Sequence, residues 1–258
     1  MKAVILAGGF GSRLSEETSI RPKPMVEIGG RPILWHIMKL YSFHGVNEFV
    51  ICCGYKGHVI KEYFWKYFIF ESDFTIDLAR ENQIEIHKQK VEPWKITLVD
   101  TGEATLKGGR IRRVREHIGD EPFCLTYGDG VCDIDLSELI QFHKQHEGIA
   151  TLTAVQTEGR FGAFRLSGEQ SVVTDFREKP KSDGAWINGG FFVLDPAAID
   201  FIQDDSTDWE RGPLEEISHK GQLHAYRHRG FWHPMDTLND KHALDTMWQN
   251  GTAPWKKW

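Results

Sequence analysis

Several signatures are missing from this chain, and each absence removes a class of function. No apolar run reaches the roughly 18 residues of a membrane-spanning helix, and no signal peptide precedes the strand-like opening at Met1, so the expected setting is the cytoplasm. Basic residues are not in excess. The 31 lysines and arginines face 37 aspartates and glutamates, a formal charge of -6, which argues against nucleic acid as the main partner and leaves room for a local basic pocket. Cys52, Cys53, Cys124 and Cys132 form no Cys-x-x-Cys pair, so they suggest neither a zinc site nor a disulfide framework. Gly-x-Ser-x-Gly and His-Glu-x-x-His are both absent, which removes the hydrolase elbow and the helical zinc site. His219, His224, His228 and His233 fall near one another without tight ligand spacing, and surface or packing roles are expected of them. Repeats, low-complexity tracts and flexible linkers are lacking as well.

What is present is an ordinary globular composition, 40% apolar and 26% charged over 258 residues, enough for one large α/β unit or two small domains. The chain is organised around its opening. Met1 to Leu6 reads as a buried strand of a parallel sheet and passes into Ala7-Gly8-Gly9-Phe10-Gly11-Ser12-Arg13-Leu14. Glycines there let the backbone turn tightly and approach a ligand. Free N–H groups in such a turn suit phosphate oxygens, and Arg13 and Lys23 add positive charge. A plain glycine-rich turn with two solvated basic residues is the competing reading. A dinucleotide fingerprint would need glycine where Leu14 stands, and a P-loop would need Gly-Lys-Ser/Thr where Gly11-Ser12-Arg13 stands. The loop is therefore a phosphate site of another type.

Downstream, Pro32 suits the start of a helix whose apolar stripe is Ile33, Leu34, Ile37, Met38, Leu40 and Tyr41. Residues 45–53 read as a second buried strand, completing the opening of a βαβ layer. Residues 55–70 predict a helix with a heavy aromatic face, packed on the sheet or on another subunit. Strands are expected at 84–87, 94–99, 123–127, 151–155 and 191–194, and helical spacing at 111–118 and 136–140. Residues 163–166 and 172–176 predict a hairpin-like antiparallel excursion. The chain closes on a helix from Leu238 to about Gln249. One domain with a second, mixed-sheet lobe is the simplest arrangement.

Two carboxylates stand out, Asp129 and Asp236, each ending an apolar segment and flanked by turn residues. Ligands of open parallel sheets sit beyond the carboxyl ends of the strands, although aspartate is also a common turn residue. With Arg13, Lys23, Lys179 and the glycine loop they form a set suited to phosphoryl chemistry. Carboxylates and phosphate oxygens are the normal ligands of Mg²⁺, and lysine and arginine neutralise charge on a pyrophosphate leaving group.

Taken together, Leu6 to Leu14, Arg21-Pro22-Lys23-Pro24-Met25, Tyr127-Gly128-Asp129, Glu178-Lys179-Pro180, Asn188-Gly189-Gly190 and Asp236-Thr237 resemble, in order, the marks of the sugar-1-phosphate nucleotidylyltransferases. The resemblance spans nearly the whole chain. It implies an α/β, Rossmann-like three-layer αβα fold with a mixed, mainly parallel sheet and a smaller sugar-binding lobe. In that reading residues 1–155 mainly bind nucleotide, and 156–258 contribute the sugar lobe and the last helix of a single domain. Lys107-Gly108-Gly109-Arg110, Phe231 to Thr237 and the aromatic segment are most similar to family members that use CTP and glucose 1-phosphate. The implied reaction makes CDP-glucose and pyrophosphate, for dideoxyhexoses of bacterial surface polysaccharide. UTP, dTTP, another sugar phosphate, or a non-catalytic subunit with the same fold are the alternatives.

Carried over residue by residue, the resemblance implies that Leu6, Ala7, Gly8, Gly9, Gly11 and Ser12 line the nucleotide and that Arg13 holds the β and γ phosphates. Lys23 balances charge near the transferred group, and Asp129 and Asp236 hold Mg²⁺. Lys179 grips the sugar phosphate, and Glu178, Asn188 and Gly189 contact the hexose or ribose. Gly8, Gln83 and Gly108 fall at base-reading positions. The Lys107–Arg110 turn either reshapes the base pocket to suit cytosine, or Arg110 points to solvent. The aromatic content of residues 63–74 and of Trp248, Trp255 and Trp258 leads us to expect a homo-oligomer.

Overall fold

The structure is a computed structural model that describes residues 1–156, 163–166, 173–177 and 186–258. In chain order the strands and helices are β1 (Lys2–Leu6), α1 (Ser15–Thr18), β2 (Glu27–Ile28), β3 (Arg31–Pro32), α2 (Ile33–Phe43), β4 (Glu48–Cys53), α3 (Gly57–Phe70), β5 (Ser72–Asp77), β6 (Gln83–Gln89), β7 (Lys95–Asp100), α4 (Lys107–Arg113) and α5 (Arg115–Ile118). There follow β8 (Phe123–Tyr127), β9 (Gly130–Cys132), α6 (Leu136–Lys144), β10 (Ala150–Val155), β11 (Ala163–Leu166), β12 (Val173–Arg177), β13 (Ile187–Leu194), α7 (Glu215–His219), β14 (Leu223–Arg227), β15 (Trp232–Pro234) and α8 (Leu238–Gln249).

Seven strands form the central sheet in the order β14-β10-β13-β8-β1-β4-β7. All neighbours run parallel except β13, which is antiparallel to both β10 and β8. Alternation along the strands feeds two cores. Ala3 and Ile5 of β1 face one side with Phe49 and Ile51 of β4, packed under α2. Val4, Leu6, Val50 and Cys52 face the other, packed under Ile111, Val114, Trp209 and Ile217. Apolar side chains at every position of a strand therefore mean a sheet covered on both faces, which makes the three layers.

The chain leaves β1 for β4 and β7 on one side, then returns to place β8 on the other side of β1. Connections diverge at that point, and a crevice opens beyond the carboxyl ends of β1 and β8. The β11–β12 hairpin expected from alternation is present. The helix and strand expected at 55–70 and 84–87 appear as α3 and β6, but β6 pairs with an unforeseen β5. Together these two strands project an arm rather than joining the sheet. Trp65, Phe70 and Leu78 of this region are 79%, 76% and 78% exposed.

The carboxy-terminal tryptophans behave differently from that expectation. Trp255 is fully buried, and Trp248 and Trp258 pack edge-on or tilted against Trp35 and His36. Trp255 belongs to the interior and the other two are half-buried against it, leaving the aromatic arm as the more exposed of the two regions.

Candidate active site

The opening loop is fixed at its start by two backbone bonds. Ala7 N–H donates to Cys52 O, and Gly8 O accepts from Tyr55 N–H. Gly11 has φ +64°, a left-handed turn, and a Cβ there would meet Thr18. Gly8 is needed for a different reason, since a Cβ would lie 2.1 Å from Arg110 Nη1.

Arg110 resolves the question its turn posed, because it does not point to solvent. It is 4% exposed and donates to Gly8 O (3.0 Å), Cys53 O (3.3 Å), Gly102 O (2.7 Å), Glu103 O (3.1 Å) and Thr101 Oγ1 (2.8 Å). One guanidinium thus ties the loops after β1, β4 and β7 together. Burial lowers its pKa, and it pairs with no carboxylate among the described residues.

A cleft of about 500 Å³ opens over these loops. Leu6, Ala7, Gly8, Gly9, Gly11, Ser12, Arg13, Lys23 and Asp129 all line it. At its mouth the charged residues converge. Lys23 Nζ lies 2.7 Å from Asp129 Oδ2 and 2.7 Å from Asp236 Oδ1, and Arg13 Nη1 lies 2.6 Å from Asp236 Oδ2. Lys23 is 6% exposed and starts a short turn bracketed by Pro22 and Pro24. Asp129 leaves the end of β8, whereas Asp236 precedes α8. The capping box of Thr237 and Asp240 sets Asp236 in place, with Asp240 Oδ2 accepting from the N–H groups of Asp236 (3.0 Å) and Thr237 (2.7 Å). Two carboxylates far apart in the sequence therefore meet on one ammonium, and together they offer the hard oxygen donors that suit Mg²⁺.

A smaller pocket of about 170 Å³ adjoins the cleft and shares Arg13, Tyr127 and Asp129 with it. Asn188, Gly189 and Asp236 lie here. Asn188 Nδ2 donates to Tyr127 Oη at 3.3 Å, and Trp232 Nε1 donates to Gly189 O at 2.7 Å. Glu178 and Lys179 lie outside the described residues.

Two expected base contacts are not among the residues lining the cleft. Gln83 is exposed on the β5–β6 arm, opposite Asp77. Gly108 is turned against the 204–210 loop, where its N–H donates to Thr207 O and a Cβ would lie 2.7 Å from that oxygen. Conversely, sequence reasoning passed over Tyr127 and Glu210 as cleft residues. Tyr127 donates to Glu210 Oε1 at 2.5 Å, and Lys107 pairs with the same carboxylate. Burial and the neighbouring Glu210 charge push the phenol pKa up, so it stays a donor. No spacing signals this pair, since 83 positions separate its members.

Among the described residues, one other cluster brings ligating atoms together, Cys132, Asp133 and His228. Its needs are met internally, because Asp133 accepts from Phe231 N–H at 2.7 Å and pairs with His228 at 3.0 Å.

These features meet where the strand order of the sheet reverses, and the profile of the nucleotidyl transferase family matches residues 2–234. The chain belongs to that family. It is 59% identical, over the full length of both chains, to glucose-1-phosphate cytidylyltransferase of Salmonella typhi. It is 46% identical, again over both full lengths, to the probable glucose-1-phosphate cytidylyltransferase of Bacillus subtilis (strain 168). Among solved structures, HddC from Yersinia pseudotuberculosis superposes with a TM-score of 0.69 at 21% identity, covering 96% of this chain and 99% of that one. The likeness at this identity concerns the fold.

Proposed function

We propose that this chain transfers the CMP unit of CTP to α-D-glucose 1-phosphate, giving CDP-glucose and pyrophosphate. The observation that carries the chemistry is the convergence of Lys23, Arg13, Asp129 and Asp236 at the mouth of a glycine-walled cleft. The base and the sugar follow the full-length likeness to the Salmonella enzyme.

A phosphate oxygen of the sugar phosphate attacks the α-phosphorus in line. The new P–O bond forms as the bond to the β-phosphate oxygen breaks, and the electron pair leaves with pyrophosphate. The nucleophile is already an anion, so no general base is required. Much of the barrier is repulsion between two polyanions held together. Arg13 takes the β and γ phosphates, and Lys23 offsets charge at the transferred group. The Gly8–Gly11 N–H groups cradle the nucleotide. Asp129 and Asp236 would hold Mg²⁺, which supplies charge neutralisation to the phosphates when bound. Asn188 and Gly189, with Glu178 and Lys179, take the glucose 1-phosphate. Residues 1–155 serve the nucleotide and 156–258 the sugar, and the chain assembles into a homo-oligomer through the exposed arm.

The test is pyrophosphate release with glucose 1-phosphate and Mg²⁺, offering CTP, UTP, dTTP, ATP and GTP separately and recording product mass. Release with CTP alone is expected. Equal turnover with UTP or dTTP removes the cytosine assignment, and no release with any nucleotide removes the glucose 1-phosphate assignment.

A further inference from the structure

The two carboxylates assigned above to the metal do not stand open. Lys23 Nζ is within 2.7 Å of both, on the point where they converge, and Arg13 takes the remaining oxygen of Asp236. Two negative and two positive charges make a neutral cluster. A divalent cation entering this cluster alone meets an ammonium already seated there, and its arrival leaves the site with two uncompensated positive charges. Such an excess is unfavourable in a half-buried setting. A nucleotide polyphosphate changes the balance, since it offers the ammonium and the guanidinium new oxygens a short swing away.

The lysine is built for a swing of its tip only. Its backbone is held between Pro22 and Pro24, and its stem packs on the loop, where a Cβ on Gly11 would lie 3.0 Å from Lys23 Cβ. Only the end of the side chain, with rotamer freedom to spare, is left to move.

We propose that Lys23 is a resident counter-ion that competes with the divalent cation for Asp129 and Asp236, so that metal binding is conditional on nucleotide. Nucleotide draws Lys23 onto its phosphates, frees the carboxylates, and the metal follows. By linkage, metal strengthens nucleotide binding by the same factor. Lys23 thereby couples the order of assembly to its role at the transferred phosphoryl group. The proposal rests on the assignment of the two aspartates to the metal.

The test measures Mn²⁺ binding to the full-length, nucleotide-free protein by electron paramagnetic resonance of free Mn²⁺. Lys23→Gln is expected to bind Mn²⁺ at least ~10-fold more tightly than wild type, and the double variant Lys23→Gln/Asp236→Asn to lose that gain. Arg13→Gln, at a side chain 71% exposed, should move the affinity the same way by about 3-fold, which keeps the idea testable were Lys23→Gln to misfold. Wild type and Lys23→Gln agreeing within about twofold would overturn the competition while sparing the metal assignment. Nucleotide-free Lys23→Gln binding no Mn²⁺ would overturn both.

Discussion

Replacing Arg110 by methionine keeps an unbranched apolar stem and deletes the guanidinium that joins three loops beneath the cleft. Five acceptors, four of them backbone carbonyls, then lose a donor at 2.7–3.3 Å. Each hydrogen bond from a charged donor contributes roughly 1.5–3 kcal/mol, and a simple sum is on the order of 10 kcal/mol. The substitution also relieves the burial of a cation without a carboxylate partner, a cost of several kcal/mol. The net expected loss is about 3–5 kcal/mol, read as a lower urea midpoint at unchanged slope. Because the cation lies under Gly8 and residues 101–103 rather than at the phosphates, the KM for CTP should rise at least ~10-fold and kcat should change little. Arg110→Lys, with three donors for five acceptors, should fall between. A stability loss below about 1 kcal/mol, the size of an unremarkable substitution, or a fall in kcat without a rise in KM, would refute the view of Arg110 as the clamp of the three loops beneath the cleft.

Three further outcomes are expected. His36 is fully buried, and burial pushes its pKa down to about 4 despite the carbonyls beside it. The unfolded chain therefore binds the extra proton first, so stability is lost as pH falls from about 6.5 towards 4. Relative to His36→Gln, wild type should lose about 2 kcal/mol between pH 7.5 and pH 5 in denaturant titrations. Thr237→Ala removes one half of the α8 capping box and should cost about 1 kcal/mol in thermal unfolding, with a fall in kcat/KM because Asp236 precedes that cap. Finally, the homo-oligomer proposed above predicts that wild type sediments as an assembly and Trp65→Asp/Phe70→Asp as a monomer in sedimentation velocity, and a wild-type protein that is monomeric at micromolar concentration would sink the arm interface.

Much of the fold of the first 155 residues was legible because its signals are local. Alternating or continuous apolar strands, Pro32 before α2, and a glycine-rich loop between strand and helix each carry their structure within a few residues. Asp129 and Asp236 were readable as turn carboxylates closing apolar segments. Their convergence on one lysine was not, because it depends on β15 pairing with β9 and on the cap of α8. The position of Gln83 was hidden for a related reason. Its chemistry suits a base, but β6 pairs with β5 and carries it onto the arm, and alternation in a short strand says nothing about which partner it will find. The tryptophans at 248, 255 and 258 looked like excess surface aromatics. They are consumed instead by His36 and Trp35, more than two hundred residues earlier in the chain. Tyr127 and Glu210 meet only after folding, and nothing at either position announces the other.

The reversed strand β13 has a consequence for how such a molecule can diversify. Running against its neighbours, it brings its first residues, Asn188 and Gly189, to the same rim as the last residues of β1 and β8. The segment between Val155 and Ile187 therefore enters and leaves the sheet at that rim, since these two residues pair across β10 and β13. If the sugar phosphate is taken there as proposed above, insertions or replacements within that segment would alter the choice of acceptor and leave the loop after β1, Arg110 and Lys23 in place, and a library confined to the segment would vary the one without the other.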